Sequence, residues 1–239
     1  MIRFFVLALV LIFSFSQNIV FAKDFDFDES FFRMFEYAKQ NKYKKALNLG
    51  LKIKKEALTD AQKKELKDAM EQIYLRKQQN DALSAFSVRY DKYDESYIYT
   101  GNTLLWDSVT PVIAVQKGEV MYGLIFKVTH FSQARTNFNK VTINSDNTNI
   151  TYKILKSSDD IISYSSHKRI ARGTVILTAK ELSDIDKAAN SYDVSFKMSG
   201  DNSYVVGTIF DPAKDILKKS IIVYVLLKGK IIKPGATSL

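Results

Sequence analysis

Two histidines, His130 and His167, are the only imidazoles in the chain, and hence the only side chains with an ordinary pKa near neutrality. His167 directly follows Ser165 and Ser166, so a base stands beside two hydroxyl nucleophiles. A Ser–His–Asp triad is assembled in space from distant residues, so adjacency does not indicate one, and we expect a surface loop here. His130 ends a predicted strand on the same side as Val128, which favours a structural position.

Two adjacent carboxylates, Asp159 and Asp160, could provide the acid and the base of a hydrolase. Consecutive residues of a strand point to opposite faces, so within a strand these two groups would not face one substrate. We therefore expect an acidic loop. A hydrolase whose carboxylates are brought together in space is kept as an alternative.

A second acidic set, Asp24, Asp26 and Asp28, has the spacing of the first three ligands of a calcium-binding loop. The match ends there, because Glu29 stands where that loop needs glycine and Phe35 where it needs a bidentate glutamate. Negative charge is favourable in the first turn of a helix. These acids therefore predict the start of a helix.

The composition excludes several chemistries. The chain has no cysteine, so it can form no disulfide, thiolate nucleophile, cysteine-ligated zinc site or lipid anchor on a cysteine. With two histidines a zinc site is not expected, and no glycine-rich phosphate loop occurs. We predict no catalytic residue, no metal site and no cofactor.

The first set of candidate binding residues is basic. The formal net charge is +9, and residues 39–79 hold twelve Lys and Arg against five Asp and Glu. A basic helical face can attract nucleic acid, anionic lipid or an acidic partner. The predicted contact residues are Lys44, Lys45, Lys52 and Lys55, and the alternative is a solvated lysine-rich face.

The second set is aromatic. Tyr93 and Trp106 lie in a stretch that also holds Tyr90, Tyr97 and Tyr99. Exposed aromatic rings would suit a glycan or a peptide. Strand alternation buries about half of such residues, so core packing is the alternative. Tyr93 and Trp106 are kept as secondary binding candidates.

The first residues have the pattern of a secretory signal peptide. Arg3 gives the positive start, residues 4–13 form an apolar run, and Ala22 precedes the predicted cleavage before Lys23. The alternative is an uncleaved anchor, but the run is shorter than the ~20 residues that cross a bilayer. We predict an exported protein, periplasmic or extracellular, without a transmembrane anchor in the mature chain. Nucleic acid is not an expected partner there.

Three helices must position the lysines. Apolar residues at helical spacing predict helices over 30–40, 43–58 and 59–79. Asn41 suits the left-handed position that ends the first helix, and Thr59 with Gln62 forms a capping box that begins the third. The predicted buried stripe of the third helix consists of Leu66, Ala69, Met70, Ile73 and Tyr74.

Within this segment, Asn41 stands between two helices and Ala46 follows early in the second. In these features residues 37–47 resemble the turn of a tetratricopeptide helix hairpin, with Asn41 at the usual glycine position and Ala46 at the small contact position. A solenoid needs about three repeats to be stable. The resemblance therefore implies one hairpin, not a repeat array.

From Phe86 the apolar spacing changes from helical to alternating, which predicts strands. The longest, 119–131, is apolar on both faces at one end and is predicted to be central in its sheet. A helix is predicted to begin at a capping box of Thr178 and Glu181, and another at Asp211. The run 221–227 fits either a helix or a strand. The other predicted strands are 86–90, 97–99, 111–116, 141–143, 150–154, 161–164, 169–177, 192–198 and 204–210.

Three stretches of this second part, 86–94, 185–191 and 194–200, carry a wider resemblance together with the helix after Asp211. Over residues 86–227 the chain resembles an uncharacterised β-rich domain of bacterial exported and lipid-anchored proteins and of some phage proteins. The resemblance implies a sandwich-like β fold. It carries over no catalytic or ligand residue.

The sequence thus predicts an α+β protein. A signal peptide (1–22) precedes a three-helix segment (23–82) and a mostly antiparallel β-sandwich-like domain with two short helices (83–239). The predicted function is non-enzymatic binding of a protein or another envelope component, with the helix hairpin as the docking surface; the alternative is a cell-wall or glycan hydrolase. A partly buried acid pair in a concave pocket would favour the enzyme, and a groove or patch on the helices would favour binding.

Overall fold

The computed structural model describes residues 25–103, 108–146, 148–201 and 203–239. These residues form an α+β protein in which helices precede two antiparallel sheets. The chain divides into two compact units, a helical unit that ends at Lys77 and a β unit, Gln78–Leu239. The predicted signal peptide and Trp106 lie outside the described residues.

The helical unit is built from α1 (Phe27–Lys39), α2 (Tyr43–Ile53) and the first part of α3 (Asp60–Ser84). The helix predicted to end at Leu58 ends five residues earlier, at Ile53. The helix predicted to end at Gln79 continues to Ser84. It continues because Ala82 and Leu83, beyond the polar run, are buried in the core of the β unit.

Local signals at the helix ends are confirmed. The side chain of Asp26 accepts a hydrogen bond from the Glu29 N–H at 3.0 Å and caps α1. Asn41 adopts φ 58° between α1 and α2. Thr59 and Gln62 form the reciprocal capping box, with the Gln62 N–H donating to Thr59 Oγ1 at 3.3 Å and the Thr59 N–H donating to Gln62 Oε1 at 3.0 Å.

A small core holds the helical unit together. It joins aromatic and aliphatic side chains from all three helices, because each helix has one apolar stripe. Gly50 matters here: a Cβ at this position would lie 2.8 Å from Met70 Sδ and 3.0 Å from Met34 Sδ, so glycine allows α2 to approach both methionines. The buried residues are Phe27, Met34, Tyr43, Ala46, Ile53, Leu66, Ala69 and Ile73.

Among its described residues the β unit contains the last part of α3, ten strands and two further helices. One sheet has six strands in the order β1-β2-β3-β4-β8-β7, and the other has four in the order β10-β9-β5-β6. All pairings are antiparallel. The strands are β1 Phe86–Asp91, β2 Ser96–Gly101, β3 Ser108–Gln116, β4 Glu119–Phe131, β5 Phe138–Ser145, β6 Thr148–Lys153, β7 Lys156–Ser163, β8 Lys168–Leu177, β9 Val194–Gly200 and β10 Tyr204–Thr208, and the helices are α4 Leu182–Asn190 and α5 Asp211–Lys228.

The two sheets and α5 share one core. On β4, Phe126 contacts Phe196 of the other sheet with ring centroids 5.1 Å apart. Four residues earlier on the same face, Tyr122 contacts Tyr224 of α5 with ring centroids 5.9 Å apart. The prediction that β4 is central is confirmed, because it pairs with β3 on one side and β8 on the other.

Two local expectations in the β unit were wrong. The strand expected from Tyr192 begins at Val194, and Tyr192 is exposed. The helix expected from Thr178 begins at Leu182, although Glu181 accepts hydrogen bonds from the Thr178 N–H and hydroxyl at 2.7 Å each.

The second predicted helix, α5, is eighteen residues long and so is not short. The run 221–227, which fitted either structure, is its last part. Within the described residues no helix combines the length and the apolarity needed to cross a membrane.

Candidate binding surface of the helical unit

Four exposed lysines line one side of α2 and the turn that follows it. The opposite side of α2 is buried through Tyr43, Ala46, Gly50 and Ile53. At 3.6 residues per turn, Lys44, Lys45 and Lys52 fall on the side away from that core, and Lys55 follows in the next turn. We call these four lysines (44, 45, 52 and 55) the basic ridge. The structure thus brings together the predicted contact residues, and α2 itself carries no carboxylate.

An apolar groove of about 620 Å³ lies between α2 and α3. Its volume falls within the range of about 300–1,000 Å³ that is usual for ligand sites. Leu47, Leu58 and Met70 are half-buried, and Tyr74 is 52% exposed, so apolar surface faces solvent. The prediction from helical spacing that Tyr74 is buried is therefore wrong. The apolar groove is defined by Leu47, Leu58, Leu66, Met70 and Tyr74.

Charged side chains border the apolar groove on both helices. Lys54 borders it from the end of α2, while Lys63, Lys67 and Glu71 stand four residues apart along α3. Lys63 pairs with Asp60 at 3.1 Å, and Lys67 lies 3.9 Å from Glu71. These pairs are exposed, so each contributes about 0–1 kcal/mol. The lysines can therefore exchange partners at low cost.

The acid pair considered for hydrolysis does not converge. Asp159 and Asp160 lie in β7, so the expectation of a loop was wrong. The Asp159 side chain is buried, whereas Asp160 is exposed on the opposite face and pairs with Arg172 at 2.5 Å. The two carboxyl groups therefore serve two separate contacts.

Asp159 is the centre of a buried polar cluster. Its Oδ1 lies 2.9 Å from His130 Nε2 and 3.1 Å from Arg169 Nε, and its Oδ2 accepts a hydrogen bond from the Thr136 N–H at 2.9 Å. Burial alone would raise the pKa of Asp159, but the contacts from Thr136, His130 and Arg169 outweigh it and lower the pKa below its ordinary value. The cluster joins β4, β7, β8 and the loop before β5.

The position of His130 agrees with a structural role, because its ring contacts Asp159 and packs edge-on against Phe138 at 6.3 Å. His167 is exposed in the turn between β7 and β8, with φ 51°. Its carbonyl accepts a hydrogen bond from the Ser132 N–H at 3.0 Å. In the part of the chain that the structure describes, no group of three or more His, Asp or Glu could hold a metal ion.

The aromatic candidates fall into different environments. Tyr93 is 98% exposed in the turn between β1 and β2. Tyr90 and Tyr97 contact each other at 4.9 Å between ring centroids, while Tyr99 is fully buried and accepts a hydrogen bond from the Gly235 N–H at 2.7 Å. Tyr93 belongs to the β unit and the basic ridge to the helical unit, so they are separate candidates.

The lysines of the basic ridge were predictable from the sequence as exposed, whereas the apolar groove and the Asp159 cluster were not predicted. The groove depends on the relative course of two helices, and the cluster depends on the pairing of three strands.

No protein-family model, no curated protein and no solved structure matches this chain. The resemblances of residues 37–47 and 86–227 therefore stay predictions.

Proposed function

We propose that this protein is exported and acts as a non-enzymatic binding protein, whose helical unit docks an acidic macromolecule through the basic ridge. The observation that supports this most is the basic ridge itself: four exposed lysines on one side, with no carboxylate on α2. Such a surface attracts an acidic partner over roughly the Debye length, about 8 Å at physiological salt. The adjoining apolar groove adds the desolvated contact that an interface needs at its centre.

A glycan hydrolase of the usual kind has two carboxyl groups that face one substrate, roughly 5–10 Å apart. Asp159 is buried against Arg169, while Asp160 faces the other side of the sheet. This arrangement does not support the hydrolase alternative, whereas a patch and a groove on the helices support binding.

The proposal can be tested by cross-linking in the cell envelope of the native host. The protein recovered there should begin at Lys23, and a defined cross-linked partner should be lost when the four lysines of the basic ridge are replaced by glutamate. A matched variant with the same change of charge, Lys92, Lys153, Lys180 and Lys228 to glutamate, alters exposed lysines of the β unit and should keep the partner. If both variants keep the same partner, the basic ridge is only a solvated surface. An intact N-terminus would contradict signal-peptide cleavage, and recovery only from the cytoplasm would contradict export.

A further inference from the structure

The apolar groove has features of a docking site that the lysines alone do not explain. Leu47, Met70 and Tyr74 all expose apolar surface to solvent within this one groove. On most protein surfaces, exposed apolar side chains are scattered singly. Methionine adapts its shape to different partners, and tyrosine is enriched at binding hot spots.

The charges along the apolar groove indicate the shape of its occupant. Lys63, Lys67 and Glu71 follow one another at intervals of four residues, so they extend over about 12 Å of α3 at a rise of 1.5 Å per residue. Lys54 borders the groove from α2. An elongated occupant with charged groups at similar intervals along its length complements these charged side chains. An amphiphile with one charged head group would instead need the lysines of the protein to lie together at one end of the groove.

We propose that the apolar groove receives one amphipathic α-helix of the acidic partner, with its apolar stripe on Met70 and Tyr74 and its acidic residues beside Lys54, Lys63 and Lys67. In an amphipathic helix, residues four apart also lie on one side at about 6 Å intervals, which matches the spacing of the lysines on α3. A second copy of this chain is disfavoured, because the basic ridges of two copies would repel each other. The inference rests on the proposed function, since it assigns the partner's contacting element.

The test uses a defined probe, a fluorescently labelled 18-residue helical peptide with leucine along one stripe and glutamate elsewhere. Its affinity for the whole purified protein is measured by fluorescence anisotropy. A peptide with lysine in place of glutamate, and one of the same composition with the stripe scrambled, serve as controls. We expect the acidic amphipathic peptide to bind and both controls to bind at least about tenfold more weakly, because each lacks one of the two kinds of contact.

Two variants locate the site. Tyr74→Ala removes an exposed aromatic side chain from the groove and should weaken the binding of the peptide by about tenfold or more. The double variant Lys63→Glu and Lys67→Glu should weaken it by about fivefold at low salt and by less at 1 M salt, where the Debye length is about 3 Å. Lys64→Glu is a control for a charge reversal elsewhere on the same helix, since Lys64 is exposed and does not border the groove, and it should change the affinity by less than about twofold.

The outcomes separate this inference from the proposed function. If Tyr74→Ala and the double variant bind the peptide as tightly as the unaltered protein, the groove assignment is wrong, even where the basic ridge variant loses its partner in cells. If laurate displaces the peptide and binds with higher affinity, the groove is an amphiphile site and the inference is likewise overturned. If the peptide binds as expected but the basic ridge variant keeps its cellular partner, the assignment of the groove is supported and the role proposed for the basic ridge is wrong. Circular dichroism of each variant shows that the helices are retained.

Discussion

The two units of this protein differ in how they use charged side chains. In the β unit, Asp159 and Arg169 are buried against each other, and the largely buried Lys214 donates to the carbonyl oxygens of Ser191 and Tyr192 at 3.3 and 2.8 Å. In the helical unit, the lysines of the basic ridge are exposed. A buried charge is costly unless it is paired, so these buried, paired charges of the β unit fix its architecture. Exposed charges cost little, and in the proposed function those of the helical unit serve association.

The apolar cores of the two units also differ. In the β unit, the core between the sheets is continuous with the core under α5 through Tyr122 and Phe126. In the helical unit, three short stripes close a smaller core and leave the apolar groove open between α2 and α3. Apolar side chains are exposed in both units, for example Phe131 and Ile176 in the β unit, and in the helical unit such surface lines the apolar groove.

The largest effect should come from breaking the buried pair of the β unit. Asp159→Asn leaves the Arg169 guanidinium, which is 7% exposed, without its counter-charge, and should lower the free energy of unfolding by about 3 kcal/mol. Urea denaturation followed by circular dichroism measures it. Asp160→Asn, which affects the exposed pair with Arg172, should cost about 0–1 kcal/mol. Equal costs for the two substitutions would contradict the contrast between buried and exposed charges.

The same cluster predicts a dependence on pH. The pKa of Asp159 is lower in the folded protein than its ordinary value, so its stabilising contribution is complete above the unfolded pKa of aspartate, about 3.9. It is lost as the pH falls through the folded pKa. The free energy of unfolding should therefore fall more steeply with acidification below about pH 4 in the unaltered protein than in the Asp159→Asn variant. Parallel curves would show that this carboxylate is not the group responsible.

A smaller effect is expected at Lys214, where a charge fixes the backbone before β9. Its Nζ also pairs with the exposed Asp211 at 2.7 Å. Lys214→Met keeps the length of the side chain but removes the donor from two carbonyl oxygens, and should lower the free energy of unfolding by about 1–2 kcal/mol. Lys218→Met, one turn further along α5 and exposed, should change it by less than about 0.5 kcal/mol. If the two variants are equally stable, the contacts of Lys214 add nothing.

Much of the fold was predictable because its signals are local. The left-handed position at Asn41, the capping box of Thr59 and Gln62, and the alternation of Val194, Phe196 and Met198 each depend on a few neighbouring residues. Such patterns restrict backbone dihedrals or assign one face to the core without knowledge of the partner element.

The remaining features depend on tertiary contacts. Residues 221–227 hold β-branched side chains that favour a strand, yet they are helical, because Val223, Tyr224 and Leu227 are buried as one face of α5. The burial of Asp159 follows from the pairing of β7 with β8 and of β8 with β4, which no local pattern encodes. The apolar groove requires the relative course of two helices, so its residues were predictable as apolar but not as exposed.

The smallest effects on stability should occur in the basic ridge, where substitutions at the two ends of α2 should have opposite signs. Lys44 lies in the first turn of α2 and Lys52 in the last. Negative charge is favourable at the N-terminal end of a helix and unfavourable at the C-terminal end, by roughly 0.3–1 kcal/mol. Lys44→Glu should therefore slightly raise the melting temperature of the helical unit, and Lys52→Glu should slightly lower it.

Both substitutions should nevertheless weaken cross-linking to the partner in the same direction, because both reverse a charge of the basic ridge. Thermal unfolding followed by circular dichroism gives the first quantity, and the yield of the cross-linked product gives the second. Stability and capture that change together, up for Lys44→Glu and down for Lys52→Glu, would mean that helix stability limits the association. Opposite shifts in stability with a shared loss of capture would assign the binding to the charges themselves.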